Sequence, residues 1–210
     1  MAMREPRRGS ETRERLLDLA EQAVLEKGFA ATSIDELIAA VGLTKSGFFY
    51  HFRDKGELAK ALLERYLDRE ERLLDDLFMR ADALNEDPLH GFLVGLKMFA
   101  EMMADLPSGH PGCLVASYCY QEQLFNRDVR ELTRDGVLAW RKRFRDRLDR
   151  IAARYPPRTP VDLDAMADMV SGLVDGGIIL AKTVRDPTIL PRQVMLYREF
   201  VRLVFQPSAA

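Results

Sequence analysis

The chain has 210 residues, of which 47% are hydrophobic and 30% are charged, a composition that is ordinary for a globular protein of one or two domains. Its formal net charge of -2 excludes binding of a polyanion by overall charge, so any contact with nucleic acid must come from a local patch. No stretch approaches the ~20 apolar residues of a membrane span, and the N-terminus lacks the apolar segment of a signal peptide. The two cysteines form no disulfide framework. We therefore expect a cytoplasmic protein with no membrane partner.

Apolar residues recur with helical spacing along nearly the whole chain, and Gly or Pro fills the gaps, which predicts an all-α fold. The first helix is expected to start after Ser10 and to end at Gly28. Gly42 is expected to end the second helix. Three polar residues mark the starts of the second, third and fourth helices, two of them followed by Glu three positions later. These caps are Ser33, Thr44 and Asp54.

The remainder of the chain also divides into helices at its Gly and Pro residues. The expected helices are a fourth to about residue 84, one from Pro88, one over 113–125, one from Asn126 or Asp128 to about Tyr155, and two over 163–184 and 189–205. The long helix before Tyr155 carries seven basic and two acidic residues over 141–154. We expect these cations to form a solvated face that pairs in part with the acidic fourth helix, although an acidic partner is the alternative.

Residues 32–58 have the layout of a helix-turn-helix: two short helices joined by a glycine turn, followed by the start of a third. Small, hydroxyl, basic and aromatic residues occur together on the second of these helices, and they suit phosphate oxygens or base edges. They are Thr44, Lys45, Ser46, Gly47, Tyr50 and His51. Lys55, in the next helix, is a further candidate for a phosphate contact. Phe48 and Phe52 lie four apart and are expected to pack inward. An ordinary helical hairpin with a capped turn is the alternative.

A longer pattern runs through residues 10–60. It consists of Gly28-Phe29, Thr32-Ser33-Ile34, Leu37, Ala40, Gly42, Lys45, Phe48 to Phe52, Lys55 and Leu58. This pattern resembles the N-terminal domain of the TetR family of bacterial transcriptional repressors. The resemblance implies a three-helix DNA-binding head with a helix-turn-helix, joined by a long fourth helix to a helical ligand-binding and dimerisation domain. The implied domains are residues 1–60, which bind DNA, and 61–210, which bind the effector and form the dimer.

The resemblance also implies which residues contact DNA. With the neighbouring Ser33 and Phe49 they form the predicted DNA-binding set: Thr32, Ser33, Thr44, Lys45, Ser46, Gly47, Phe49, Tyr50, His51 and Lys55. The chain departs from the family at Phe49, where the family usually has tyrosine. A hydroxyl that contacts phosphate is then missing, which is expected to weaken positioning on DNA rather than base reading.

The last two helices are apolar on more than one face, which predicts burial on both sides. A single chain cannot cover such a pair, so we expect a two-fold interface, and the resembled family builds a four-helix dimer bundle from two helices per subunit. The predicted interface comprises Met166, Val170, Gly172, Leu173, Gly176, Gly177, Leu180, Tyr197, Val201 and Val204. A second apolar row in the last helix consists of Leu196, Phe200 and Leu203. A thick core within one chain is the alternative.

An effector pocket in the middle of the chain is implied by the resemblance, and apolar and sulfur-bearing residues typical of small-molecule sites are plentiful there. The candidates are Phe99, Met102, Met103, Cys113, Tyr118, Trp140, Phe144 and Met169. For each of them, ordinary core packing is the alternative. The six-residue spacing of Cys113 and Cys119 disfavours an intrahelical disulfide, and thiol sensing stays open. The histidines show no metal-ligand spacing, so neither a metal nor a cofactor is expected.

These features together predict a homodimeric, ligand-responsive regulator of transcription, a repressor rather than an enzyme. Its partners would be a palindromic double-stranded operator and a small-molecule effector of unidentified chemistry. A ligand that binds better when the fourth helix is tilted would move the recognition helices out of register with the operator. Two alternatives stay open. One is a helical dimeric adaptor without DNA binding, and the other is an α-helical enzyme that uses Cys113 and a histidine in the central cavity.

Overall fold

The structure, a computed structural model, describes residues 5–206 of the chain and the side chains of residues 9–206. Within this range it consists of nine α-helices and one short 3-10 helix, Glu122–Leu124, so the predicted all-α fold is confirmed. The α-helices are α1 (Glu5–Lys27), α2 (Ile34–Val41), α3 (Lys45–His51), α4 (Lys55–Leu84), α5 (Pro88–Ala104), α6 (Leu114–Cys119), α7 (Arg127–Arg154), α8 (Leu163–Val184) and α9 (Ile189–Phe205). Over the described residues, none of these helices combines the length and the apolar character of a membrane span.

Hydrogen bonds to side chains confirm the three predicted helix starts near the N-terminus. They run from Glu36 N to Ser33 Oγ (3.1 Å), from Gly47 N to Thr44 Oγ1 (3.2 Å) and from Glu57 N to Asp54 Oδ1 (2.8 Å). The Glu57 carboxylate also accepts from the Arg53 backbone N–H at 2.7 Å, so the start of α4 is closed from both directions. Each cap satisfies a backbone donor that the first turn of a helix would otherwise leave without an acceptor.

The predicted start of the first helix was wrong, because α1 already begins at Glu5 and Ser10 lies inside it. A proline at position 6 is compatible with this earlier start, since the first turn of a helix needs no N–H donor from it. The predicted end was right. Gly28 adopts φ +84°, a left-handed conformation that favours glycine, and its N–H donates to Val24 O at 2.8 Å.

The predicted single helix over 113–125 was also wrong, because α6 ends at Cys119 and a 3-10 helix follows after a break. The break occurs at Gln121, whose backbone leaves the helical region. Its side-chain oxygen accepts from the backbone N–H of Ala30 at 3.0 Å. Leaving the helix therefore lets Gln121 satisfy a donor in the loop between α1 and α2, a contact 91 positions away along the chain.

The chain divides into two compact units, the first of which contains the described residues up to Asp68 together with Gly112–Gly136. Its core combines apolar side chains of α1 to α4 with Leu114, Tyr118, Phe125 and Val129. Tyr118 is fully buried, its hydroxyl donates to Ala59 O at 2.9 Å, and its ring stacks on that of Phe125. The first unit is therefore built from two separate segments of the chain.

An arginine on α4 also holds α1 in the first unit. Arg65 donates from Nη1 to Asp18 at 2.7 Å and from Nη2 to Glu21 at 2.9 Å, and it lies 3.2 Å from a carboxylate oxygen of Glu14. Because these three acids follow one another on one face of α1, a single guanidinium spans almost two turns of that helix.

The second unit contains Arg69–Pro111 and the described residues from Val137 onward. Its core holds an aromatic cluster in which the ring of Phe78 lies 5.9 Å from that of Phe92 and 5.9 Å from that of Phe144, measured between centroids. Gly95 leaves room for this cluster, since a Cβ added there would lie 2.5 Å from Phe78. The cluster ties α4, α5 and α7 together.

In the second unit, α9 packs against α5 and α8. Tyr197 is buried on α9, and its hydroxyl donates to Met166 O of α8 at 2.9 Å. Arg198 donates from Nε to Leu93 O of α5 at 3.0 Å. These two bonds, made by adjacent residues of α9, fix which faces of α9 are turned toward its own chain.

The basic run of α7 pairs with the acidic fourth helix, as predicted. Arg147 donates with both terminal nitrogens to the Asp82 carboxylate, at 3.0 and 3.1 Å, and its guanidinium lies 4.0 Å from the centroid of the Phe78 ring. One turn earlier, Arg143 donates from Nη1 alone to the Asp75 carboxylate. Ion pairs with carboxylates of the same chain thus neutralise most of the net positive charge of this segment.

A cluster of hydrogen bonds joins the end of α7 to the start of α5. Asp87 caps α5 by accepting from Leu89 N at 3.0 Å and His90 N at 2.9 Å, and it also accepts from the hydroxyl of Tyr155 at 2.6 Å. Burial alone would raise the pKa of Asp87, but the hydrogen bonds from Tyr155 and His90 and the charge of Arg154 outweigh it, so the pKa lies well below its ordinary value.

Candidate nucleic-acid interface

The connection between α2 and α3 is a tight turn that leaves little freedom in the position of α3. Gly42 ends α2 with φ +75° and ψ 35°, and its N–H donates to Ala39 O. The next N–H, of Leu43, donates to Ile38 O at 2.8 Å, which completes a Schellman motif. Thr44 then caps α3, so only Leu43 and Thr44 separate the glycine from the first residue of α3.

The inner side of α3 is anchored by two aromatic residues, as predicted. Phe48 is 0% exposed and Phe52 is 1% exposed, and their ring centroids lie 5.7 Å apart. Both belong to the core of the first unit, together with residues of α1, α2 and α4. This packing determines which residues of α3 are turned outward.

The outer side of α3 carries most of the predicted DNA-binding residues. The exposed fraction is 45% for Phe49 and 82% for Tyr50, and Gly47 is half-buried. Polar residues exposed beside them are Thr44, Lys45 and Ser46. The Thr44 and Ser46 hydroxyls lie 3.0 Å apart, so they form one polar group at the start of the helix. This α3 reading face, defined as residues 44–47 with Phe49 and Tyr50, offers hydroxyl, ammonium and aromatic groups to a ligand.

His51 lies at the end of α3 and is half-buried. Burial lowers the pKa of its imidazole, and the positive charge of Arg13 on α1 lowers it further. The ring stands edge-on to that of Tyr50, with 5.0 Å between centroids. His51 therefore suits a neutral hydrogen-bonding role beside the reading face rather than the role of a cation.

Two of the predicted DNA-binding residues do not present their side chains as expected. Thr32 is 1% exposed, and its hydroxyl donates to Gly28 O at 3.0 Å, so it stabilises the loop before α2. Lys55 donates from Nζ to Phe29 O at 2.7 Å, and its ammonium lies 4.4 Å from the centroid of the Phe29 ring. Burial lowers the pKa of Lys55. Ser33 is exposed, but its hydroxyl is used as the cap of α2.

A cation that the sequence reasoning did not select stands beside α3. The side chain of Arg53 is 84% exposed and lies immediately after the buried Phe52, where α3 leads into α4. Its partner in the structure is the neighbouring carboxylate of Asp54, at 3.4 Å. The signal in the sequence is a basic residue between the end of α3 and the cap of α4. That signal indicates Arg53 rather than Lys55.

The predicted effector-pocket residues fall into different surroundings. Tyr118 belongs to the core of the first unit, and Cys113 caps α6 there, its sulfur accepting from Ala116 N at 3.4 Å. In the second unit, Phe144 is a fully buried member of the aromatic cluster, and half-buried Trp140 lies 5.7 Å from it between ring centroids. The remaining candidates lie in the same unit on α5 and α8: Phe99 and Met103 are buried, Met102 is half-buried and Met169 is exposed.

The predicted dimer interface mixes two faces of α8 and α9. Six of its members are buried within their own chain, so their side chains cannot form a surface: Met166, Val170, Gly177, Tyr197, Val201 and Val204. Gly177 shows why, because a Cβ added there would lie 2.9 Å from Leu190 of α9. The other four, Gly172, Leu173, Gly176 and Leu180, are exposed or half-buried.

Apolar residues at helical spacing follow the opposite side of each of these two helices. Their exposed members include Leu180 (48%), Leu196 (62%) and Leu203 (59%). A Cβ added at Gly172 or Gly176 would meet nothing within 4 Å. We call this surface the outer α8/α9 face, and it comprises Met169, Gly172, Leu173, Gly176, Leu180, Leu196, Phe200 and Leu203.

The described residues form a helical fold with a capped helix-turn-helix near the N-terminus. The second helix of that motif is anchored inward and has a polar, aromatic outer side. These features define the class of helix-turn-helix DNA-binding regulators. A family model described as "Bacterial regulatory proteins, tetR family" matches residues 16–62. These residues contain α2 and α3. Over this helix-turn-helix segment the chain is of the TetR family of transcriptional regulators.

Relatives and solved structures agree with this assignment. "Transcriptional regulator AcuR" of Cereibacter sphaeroides is 27% identical over 188 residues, which cover 84% of this chain and 83% of that protein. "HTH-type transcriptional repressor NemR" of Escherichia coli is 31% identical over 77 residues, 37% of this chain and 39% of that protein. The crystal structure of a TetR transcriptional regulator from Chloroflexus aurantiacus matches with a TM-score of 0.76 and 27% identity over 95% of this chain and 98% of that one. The chain is thus a ligand-responsive, DNA-binding transcriptional regulator, and its relatives are regulators rather than enzymes.

Proposed function

We propose that the protein is a homodimeric repressor that places the α3 reading face of each subunit in the major groove of a palindromic operator. The observation that carries this proposal is the division of α3 into two sides. Phe48 and Phe52 fix the helix in the core, while the outer side exposes hydroxyl, ammonium and aromatic groups. The residues that contact DNA would be Ser33, Thr44, Lys45, Ser46, Gly47, Phe49, Tyr50 and His51, with Arg53 in the place predicted for Lys55. In this proposal residues 1–60 bind DNA, in the cytoplasm, and residues 61–210 bind the effector and form the dimer.

Phosphate contacts by the reading face can be tested through the salt dependence of binding. Selection of genomic fragments at physiological salt would identify the operator, and the affinity would then be measured over a range of salt concentrations. Lys45→Met should reduce the slope of log K against log[salt] by about 1.8, because each of two subunits loses a contact worth ~0.9. The matched control is Lys97→Met on α5, an exposed lysine of the second unit whose loss should leave the slope unchanged. Equal slopes in all three proteins, or a dimer without salt-dependent affinity, would contradict DNA reading by α3.

The outer α8/α9 face supports the dimer part of the proposal, with a second copy of the same face as its occupant. Apolar side chains more than half exposed, such as Leu196 and Leu203, are costly to leave in water when several of them lie along one side of a helix. The glycines at 172 and 176 would let two copies of α8 approach closely. A two-fold axis through this face would join two copies of α3 in one dimer, as a palindromic operator requires.

A charge placed on this face should separate the subunits. Leu203→Asp is expected to give monomers in sedimentation velocity and to lose operator binding, because two carboxylates would be buried against apolar side chains. The matched control is Leu84→Asp, at the end of α4, where the wild-type side chain is 71% exposed and lies outside the face. A Leu203→Asp protein that stays dimeric would place the interface elsewhere.

The effector is proposed to be a small molecule with a substantial apolar surface, bound in the second unit. Met102, Trp140 and Met169 remain the candidate contacts there, because Cys113 and Tyr118 are engaged in the first unit and Phe99, Met103 and Phe144 are buried in the core. Trp140 is the only tryptophan of the chain, so its fluorescence reports on this region alone. A ligand that releases the operator should change that fluorescence with the same midpoint. Release without any change in fluorescence would argue against a pocket beside Trp140.

A further inference from the structure

Within the α3 reading face, Phe49 is the one residue with an apolar ring that carries no polar group. Its ring is 45% exposed, whereas the aromatic rings of Phe48 and Phe52, one residue before it and three residues after it, are buried. Lys45 and Ser46 precede it by four and three residues, so they share its side of the helix. A phenylalanine here is therefore surrounded by groups that bind polar partners and cannot itself bind one.

The ring of Phe49 packs against a buried neighbour, which favours one orientation before any ligand arrives. Phe49 stands edge-to-face on Phe48, with 5.4 Å between centroids and 89° between ring planes. Phe48 is 0% exposed and immobilised by the core of the first unit. A pre-oriented aromatic ring loses little side-chain entropy on binding, so even a small apolar contact contributes to affinity.

The chemistry of the major groove leaves few partners for such a ring. Base edges there present hydrogen-bond donors and acceptors, and the apolar group among them is the 5-methyl of thymine. Phosphate oxygens offer nothing to a ring without a hydroxyl. We infer that Phe49 reads the methyl group of a thymine in each operator half-site, so that the residue contributes to sequence specificity. This inference rests on the proposed placement of α3 in the major groove.

Replacing thymine by uracil removes the methyl group and keeps the base pairing, so the wild-type protein alone can test the inference. Once an operator is known, each thymine of the half-site and its symmetry mate would be exchanged for uracil in turn. One such pair should weaken binding about sixteenfold, the product of a roughly fourfold effect per half-site that corresponds to one buried methyl group. All other positions should change affinity much less. An operator at which no exchange matters would overturn the inference and leave salt-dependent DNA binding intact.

Two variants assign the effect to a residue. Phe49→Ala should bind the thymine and uracil operators equally, because the group that distinguishes them is gone. Tyr50→Ala should weaken both by the same factor and keep the wild-type ratio, since Tyr50 is the neighbouring exposed ring. A ratio that persists in Phe49→Ala would assign methyl reading to another side chain. If the wild-type protein bound no duplex specifically, both the proposed function and this inference would be overturned.

Discussion

Replacing Lys55 by methionine is expected to loosen the first unit without changing the number of phosphate contacts made on DNA. The ammonium of Lys55 donates to Phe29 O at 2.7 Å and lies 4.4 Å from the centroid of the Phe29 ring. Methionine retains an apolar stem of similar length and loses the charge. The change therefore removes the bond between the start of α4 and the loop after α1, and little else.

The size of the effect follows from these two contacts. A hydrogen bond from a charged donor contributes ~1.5–3 kcal/mol, and a cation over an aromatic ring contributes ~0.5–1 kcal/mol at an exposed site. Lys55 is only partly buried, so solvent screening reduces both contributions. We expect a loss of about 1–2 kcal/mol, which corresponds to a five- to thirtyfold increase in the local opening constant, at ~1.4 kcal/mol per factor of ten.

Hydrogen–deuterium exchange of the full-length protein would measure this loss directly, because local opening sets the exchange rates of the amides in the α1–α2 loop and α2. Lys55→Met should speed their exchange and leave the salt slope of operator binding at its wild-type value. Lys45→Met should do the reverse. The reasoning is refuted if Lys55→Met lowers the slope as much as Lys45→Met does while the exchange rates stay unchanged.

Other substitutions test the second unit. Tyr155→Phe removes the donor at 2.6 Å from Asp87 and should lower the melting temperature by roughly 2–4 °C at neutral pH. Because the pKa of Asp87 is lowered on folding, its stabilisation is present above the unfolded pKa of about 3.9 and is lost as the pH falls through the folded value, so the two melting curves should converge in acid. Gly95→Ala places a Cβ 2.5 Å from Phe78 and should destabilise the unit by ~1–3 kcal/mol in urea unfolding. Gly9→Ala on α1, where a Cβ likewise meets nothing within 4 Å and which lies outside the outer α8/α9 face, is the control and should not destabilise the protein. Equal losses in the two alanine variants would contradict the packing argument.

The helix starts near the N-terminus were predictable because a cap is a local interaction. Ser33, Thr44 and Asp54 each accept from a backbone N–H three residues later, and no distant residue can remove that preference. The break after α6 was not predictable for the opposite reason. Gln121 lies outside the helix and accepts a hydrogen bond from Ala30 N, and no residue near Gln121 in the sequence indicates that partner.

The same distinction separates the predicted site residues that the structure exposes from those that it engages within the chain. The outward side of α3 follows from helical spacing once Phe48 and Phe52 are taken as core. Lys55, in contrast, lies in an exposed-looking sequence, and its acceptor is 26 residues away. In α8 and α9 the sequence shows two apolar faces of similar character, and hydropathy cannot tell which one α5 covers. Tyr197 illustrates the result, since it was assigned to the interface and is buried against its own chain.

The first unit is built from two segments of the chain, which limits how the protein can be divided into fragments. The reading face lies before residue 60, yet the core beneath it includes Leu114 and Tyr118. A ribosome must therefore deliver about three fifths of the chain, as far as Val129, before the core of the first unit is complete, which delays its folding during synthesis. A chimera that joins residues 1–60 to another regulator would receive the DNA contacts without the side chains that complete their support. Exchange of operator specificity between relatives should accordingly succeed by grafting the surface of α3, and fail when the head is moved as a block.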